Sequence, residues 1–127
     1  MLMTPDSKSP IVLVAEDEAM GRELSVSELQ DAGYTVIEAA DAHQALAILE
    51  NGVPVDVLFT DVNMPGEIDG MVLARMVHSR WPSVGLIITS GKTDIAEAEL
   101  PDDGHFIRKP YRLSEMSRMV GQIAGPR

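Results

Sequence analysis

Val55 to Gly70 reads VDVLFTDVNMPGEIDG, and this stretch decides the fold. Val55, Val57, Leu58 and Phe59 form a short apolar run rich in β-formers, the mark of a strand buried on both faces. The run breaks on Asp61 and passes into the turn residues Asn63, Pro65, Gly66 and Gly70. An acid at the end of a buried parallel strand stands where open α/β sheets take their ligands. A strand-end acid can equally do no more than cap the next turn. The segments on either side decide between the two.

Towards the N-terminus, Ile11 to Ala15 (IVLVA) is a second buried run, and it ends on Glu16, Asp17 and Glu18. Acids favour a helix start, so a helix is predicted from about Asp17 to Ala32, with Met20, Leu24 and Leu29 as its apolar stripe and Gly33 as its stop. Tyr34 to Glu38 predicts a strand. Asp41 then caps a helix that places Ala42, Ala45, Leu46 and Leu49 on one face and ends at Asn51-Gly52.

Towards the C-terminus, Asp69 caps a helix to about Arg80, with Val72, Leu73, Met76 and Val77 inward, and Trp81-Pro82 breaks it. Val84 to Thr89 is a further strand, closing on Thr89, Ser90 and Gly91. Residues 92–100 predict a short helix and Pro101 to Gly104 a turn. His105 to Arg108 reads as the last strand, before Lys109-Pro110, and Leu113 to Ala124 as the last helix, striped by Leu113, Met116, Val120 and Ile123. Five strands alternating with five helices predict a parallel sheet wrapped on both faces, a doubly wound three-layer α/β sandwich. There is no repeat or linker. Residues 1–127 read as a single domain, with 1–9 a flexible lead-in and no output domain after the last helix.

A chain of 127 residues with 45% hydrophobic content holds one real core. The absence of cysteine excludes disulfides, thiol catalysis and thiolate zinc sites, and suits a reducing cytoplasm. No apolar run approaches the roughly 20 residues that span a bilayer, and the N-terminus lacks a signal-peptide layout. Twenty acids against 10 bases give a formal charge of −10, which argues against nucleic acid and anionic membranes as partners.

In a parallel sheet the strand C-termini share one edge. There the chain puts Glu16 and Asp17, Asp61, Thr89 or Ser90, and Lys109. Two carboxylates about 4 Å apart repel by about 4 kcal/mol at an effective dielectric near 20. Such crowding raises pKa values or calls for a cation. An all-oxygen set with room for water suits Mg²⁺ better than Ca²⁺, for which there is no acidic twelve-residue loop. A metal beside a carboxylate, with Lys109 and a hydroxyl opposite, is what phosphoryl transfer to Asp61 requires.

These residues in this order resemble the receiver domains of two-component response regulators. The resemblance covers Ile11 to about Ile123. It rests on Glu16-Asp17, on Asp61-Val62-Asn63-Met64-Pro65 with Asp69-Gly70 after it, on Ser90-Gly91 and on Lys109-Pro110. It implies a flavodoxin-like sandwich with strand order 2-1-3-4-5. It implies that Asp61 takes a phosphoryl group from a histidine kinase or phosphotransfer protein, and that Asp17, Asp61 and the Asn63 carbonyl bind Mg²⁺, with Glu16 acting through water. Lys109 would pair with Asp61 and then with the phosphoryl group, aimed inward by a cis Lys109-Pro110 peptide. Ser90 would be the hydroxyl that follows the phosphoryl group, with Thr89 its rival. Phe106, three residues before Lys109, falls on the family's aromatic switch position, often Tyr, and reads equally as a core aromatic.

The resemblance further implies a module that is not an enzyme beyond slow self-phosphorylation from small donors and slow hydrolysis, tuned at Asn63 and Lys92. It allows a phosphorylation-dependent homodimer. The loop Gly66 to Gly70 is one residue longer than the commonest family form. A receiver-fold adaptor that works without phosphorylation is the alternative, and the intact set Glu16, Asp17, Asp61, Ser90 and Lys109 argues against it. Asn63 stands where aspartyl phosphatases carry their second acid, which argues against efficient turnover.

Overall fold

The computed structural model describes residues 9–91, 95–96 and 99–124. The elements run β1 (Ile11–Ala15), α1 (Ala19–Asp31), β2 (Thr35–Ala39), α2 (Ala42–Glu50), β3 (Val57–Asp61), α3 (Gly70–Arg80), β4 (Gly85–Ser90), β5 (Gly104–Arg108) and α4 (Leu113–Ala124). All five strands are parallel, in the order β2-β1-β3-β4-β5. This is the flavodoxin-like arrangement, and its strand order reverses beside β1 and β3.

The β-rich apolar runs become strands because each can be covered on both faces. Leu13, Leu58, Leu86 and Ile88 point to one side, against Leu46 and Leu49 of α2 and Leu73 and Val77 of α3. Val12, Val14, Val57, Phe59 and Ile87 point to the other, against Leu29 of α1 and Met116 and Val120 of α4. Every residue of β3 is buried, Asp61 included. The sheet therefore carries one carboxylate inside its apolar frame.

The predicted caps are present: Asp41 accepts from the Gln44 N–H at 2.8 Å and Asp69 from the Val72 N–H at 2.9 Å. Gly33 and Gly52 take positive φ values of 99° and 84° just past α1 and α2.

Several expectations are corrected. Met20 is 71% and Leu24 53% exposed, and α1 buries Ser25, Val26 and Leu29 instead. At about 100° per residue, Leu24 lies roughly 140° round from Leu29, so the three expected residues never shared a face. On α3, Val72 is exposed, and Met71 and Ala74 take the inner positions beside Leu73 and Val77. α1 starts at Ala19, and Glu18 makes no side-chain cap, so Asp17 and Glu18 stay in the turn. Four helices rather than five stand among the described residues. The expected helix over 92–100 lies partly outside them; of its described residues Glu99 is in a 3₁₀ turn, and Ile95, Ala96 and Leu100 are not helical. That segment has no apolar stripe and runs into Pro101, which disfavours helix before it. The expected lead-in, but for Ser9, and Lys92 also lie outside the described residues.

Candidate functional site

The strand ends converge as the topology requires. Asp61 is the last residue of β3, Ser90 the last of β4, Glu16 follows β1, and Lys109 follows β5. Register settles which way each side chain faces. Ile88 pairs with Phe106 and Ser90 with Arg108, so alternation puts Ile88, Ser90 and Phe106 on the side of α2 and α3. Asp61 pairs with Thr89 in the opposite phase, continuing the row of Val57 and Phe59.

Asp61 is 6% exposed and its carboxylate is held on two sides. Oδ1 accepts from the Asn63 N–H at 3.0 Å, and Oδ2 accepts from Lys109 Nζ at 2.5 Å. Lys109 Nζ also reaches Glu16 Oε1 at 3.3 Å, while Glu16 Oε2 accepts from the Glu18 N–H at 3.0 Å. The Lys109-Pro110 peptide is cis. Asn63 spans the site, since its Nδ2 donates to Ser90 Oγ at 3.1 Å. A cleft of 280 Å³ opens over these groups, with Asp17 and Gly91 also in its wall. Asp17 is exposed and Ser90 wholly buried.

Electrostatics follow from burial and crowding. Burial pushes the Glu16 carboxyl above its ordinary value, and the Glu18 N–H and the Lys109 charge only partly offset it. Burial alone would lower the Lys109 ammonium, but the hydrogen bond and charge of Asp61, then those of Glu16, outweigh it and raise the pKa. The pair Lys109–Asp61 is thus a charge-assisted hydrogen bond between a buried acid and a lysine about one-third exposed.

Thr89 and Ser90 separate clearly. The Thr89 hydroxyl is buried with no partner among the described residues, whereas Ser90 Oγ meets the Asn63 amide. Phe106 is half-buried beside a 260 Å³ cavity walled by Ile95, Leu100 and His105. Among the described residues no three His, Cys, Asp or Glu side chains are grouped closely enough to hold a metal unaided. Two carboxylates, Asp17 and Asp61, with the Asn63 carbonyl and an open cleft, are a donor set that fits Mg²⁺, an ion that keeps several waters. They do not fit a closed metal cage.

Three further residues shape the site. Gly70 opens α3 so close to β3 that a Cβ there would overlap the Asp61 carbonyl, and its N–H donates to the Val62 carbonyl at 2.9 Å. A glycine directly after an N-cap Asp is the sequence signal for that approach. Tyr111 packs edge-on against Phe59, ring centroids 6.0 Å apart, and burial withdraws its hydroxyl from water. Arg22 on α1 holds the Glu16 carbonyl at 2.7 Å. Nothing local in sequence marks the Tyr111 and Arg22 contacts, which the fold alone creates.

The family model for the response regulator receiver domain matches residues 12–121. This chain is a response regulator receiver domain. The receiver domain is 40% identical over 121 residues to the sensor kinase CckA of Brucella abortus, covering 92% of this chain and 13% of the kinase. It is 32% identical over 115 residues to the transcriptional regulatory protein PhoP of Escherichia coli, covering 85% of this chain and 49% of that protein. A response regulator receiver protein from Sinorhizobium medicae superposes with a TM-score of 0.85 at 26% identity, over 91% of this chain and 94% of that one. The receiver domain thus spans only 13% of one of these curated relatives and about half of the other. No helix among its described residues is long and apolar enough to cross a membrane.

Proposed function

We propose that this receiver domain accepts a phosphoryl group on Asp61 from a histidine kinase or histidine phosphotransfer protein and signals by protein contact or onward relay. The observation that carries the reading is the buried Asp61 carboxylate, gripped by Lys109 at 2.5 Å at the floor of an open acidic cleft. Nothing else among the described residues combines a nucleophile, a cation and access.

In the transfer, an Asp61 oxygen forms a bond to phosphorus as the bond from phosphorus to the donor's imidazole nitrogen breaks, and the nitrogen keeps the electron pair. Lys109 orients the carboxylate beforehand and then follows the charge onto the phosphoryl oxygens. Asp17, Asp61 and the Asn63 carbonyl would hold Mg²⁺, with Glu16 acting through water. The ion supplies charge neutralisation at the phosphoryl oxygens. Ser90 gives up the Asn63 amide and donates to a phosphoryl oxygen, and Phe106 turns towards the space that Ser90 leaves. Catalysis by the domain itself is confined to slow phosphorylation from small donors and slow hydrolysis.

The expectation of no nucleic-acid partner is a property of this acidic segment alone, since PhoP among the matched relatives is a transcriptional regulator. The test is intact-protein mass after acetyl phosphate treatment, with and without Mg²⁺, beside Asp61→Ala. A single phosphoryl adduct that needs Mg²⁺ and is absent from the variant is expected. An adduct that survives in Asp61→Ala, or none even with a phosphorylated kinase as donor, would sink the reading in favour of a phosphorylation-independent adaptor.

A further inference from the structure

Arg22 is placed one turn into α1, and helical side chains lean back towards the helix N-terminus. From there its guanidinium reaches the turn that leaves β1. Nη1 donates to the Glu16 carbonyl at 2.7 Å, and Nε donates to Glu38 Oε1 at 3.2 Å. The arginine side chain is only 20% exposed, whereas that of Glu38 is 50% exposed. The Glu38 pair is therefore a rim contact of small worth, and the bond to the carbonyl is the sheltered one. On the other side of the same residue, the Glu16 N–H donates to the Ala39 carbonyl at 3.0 Å. The Glu16 carbonyl that Arg22 holds belongs to the peptide unit joining Glu16 to Asp17, so the arginine pins the backbone from which the Asp17 carboxylate projects into the cleft.

A guanidinium here is an odd choice if charge were its purpose. The cleft walls carry Glu16, Asp17, Glu18 and Asp61, and a fixed positive charge beside them repels a divalent cation. Its Coulombic effect on cation binding is unfavourable. Its effect on geometry is favourable, because Asp17 is exposed on a turn outside α1, and its carboxylate makes no hydrogen bond or ion pair among the described residues. The two roles thus predict opposite signs.

We propose that Arg22 is a positioning residue for the divalent-cation site: by clasping the Glu16 carbonyl it sets the direction of Asp17, and it does so by the planar shape of its guanidinium rather than by its charge. The inference rests on the reading of Asp17 and Asp61 as cation ligands, and it extends that reading to a residue outside the cleft.

The test measures binding without phosphorylation. Mn²⁺, which takes the same octahedral oxygen ligands as Mg²⁺, is titrated into the intact chain, and the free ion is read from its paramagnetic resonance signal. Melting curves are recorded for every variant. Arg22→Met is expected to weaken Mn²⁺ binding about tenfold, the usual cost of losing a residue that orients a ligand. Arg22→Lys keeps the charge and stem but not the planar fork, and is expected to weaken binding several-fold while melting close to wild type. It decides the matter should Arg22→Met fold poorly. Glu38→Gln, which alters only the rim pair, should stay within about twofold of wild type.

Arg22 variants that bind Mn²⁺ as well as wild type, or tighter, overturn the proposal, as does a Glu38→Gln loss equal to that of Arg22→Met. Asp17→Asn separates the two levels. If it binds like wild type, or wild type does not bind at all, the cation-site reading falls and takes this inference with it. If Asp17→Asn abolishes binding while the Arg22 variants keep it, only the role of Arg22 falls.

Discussion

The two halves of the cleft are built differently. On the β1–β3 side, the carboxylates of Asp61 and Glu16 are tied by Lys109 and by the N–H groups of Asn63 and Glu18, and Arg22 backs the turn. On the β4–β5 side, Ser90 takes an amide from an exposed residue, Thr89 keeps a hydroxyl with no partner among the described residues, and Phe106 lines a 260 Å³ cleft. Groups that must meet a reacting phosphorus gain from being fixed beforehand. Groups that must report the event need a second position to occupy, and a cavity beside a half-buried aromatic supplies one. On the proposed reading, the same sheet edge is closely tied where chemistry would occur and more open where a response would begin.

The sharpest way to break this contrast is Lys109→Met. Removing the Lys109 ammonium from Asp61 should slow phosphoryl adduct formation from acetyl phosphate by about 10²–10³-fold, the usual loss for a fixed electrostatic group; a change under about threefold would mean that the ties on the Asp61 carboxylate are not where reactivity is set. Gly70→Ala comes next. A Cβ overlapping the Asp61 carbonyl has only backbone to push against, so urea unfolding should show a loss of about 1–3 kcal/mol.

Phe106→Ala probes the loose side. It should cost about 1–2 kcal/mol, short of the roughly 3–5 kcal/mol of a fully buried phenylalanine, and leave adduct formation within about twofold. An effect on adduct formation as large as that of Lys109→Met would erase the distinction between the halves.

The smallest effect concerns alkaline pH. Burial raises the Tyr111 hydroxyl above its ordinary value of 10.0, and Lys109 is raised above 10.5 by its acids despite burial. A raised pKa in the folded state stabilises the protonated form. The stability from both groups is therefore complete below about pH 10 and is lost as pH climbs through their folded values. Chemical denaturation between pH 9 and 11 should show this decline, and Tyr111→Phe should make it shallower; equal slopes in the two proteins would show that Tyr111 has no share in it.

Where periodicity was strong, sequence and structure agree closely. β1 and α4 fall on the expected residues, and Met116 and Val120 are buried as their spacing predicts. The identities at the strand ends were legible because a parallel sheet brings its C-termini to one edge whatever the loops do. α1 was misread because its inner row is Ser25, Val26 and Leu29, two apolar residues and a serine, while the more conspicuous Met20 and Leu24 face outward. The grip of Arg22 on Glu16, and of Asn63 on Ser90, joins residues whose spacing carries no pattern. The latter pair lies 27 positions apart and meets only once β3 and β4 are side by side.

Asn63 touches both halves, through its N–H to Asp61 and its side-chain amide to Ser90, yet its side chain is exposed. That side chain lies outside both apolar clusters that hold the sheet. On the proposed reading, exchanging that side chain would change the hold on Ser90, and with it the rate at which a charged state forms and decays, while the bond from its N–H to Asp61 is kept. One architecture would then run on different clocks.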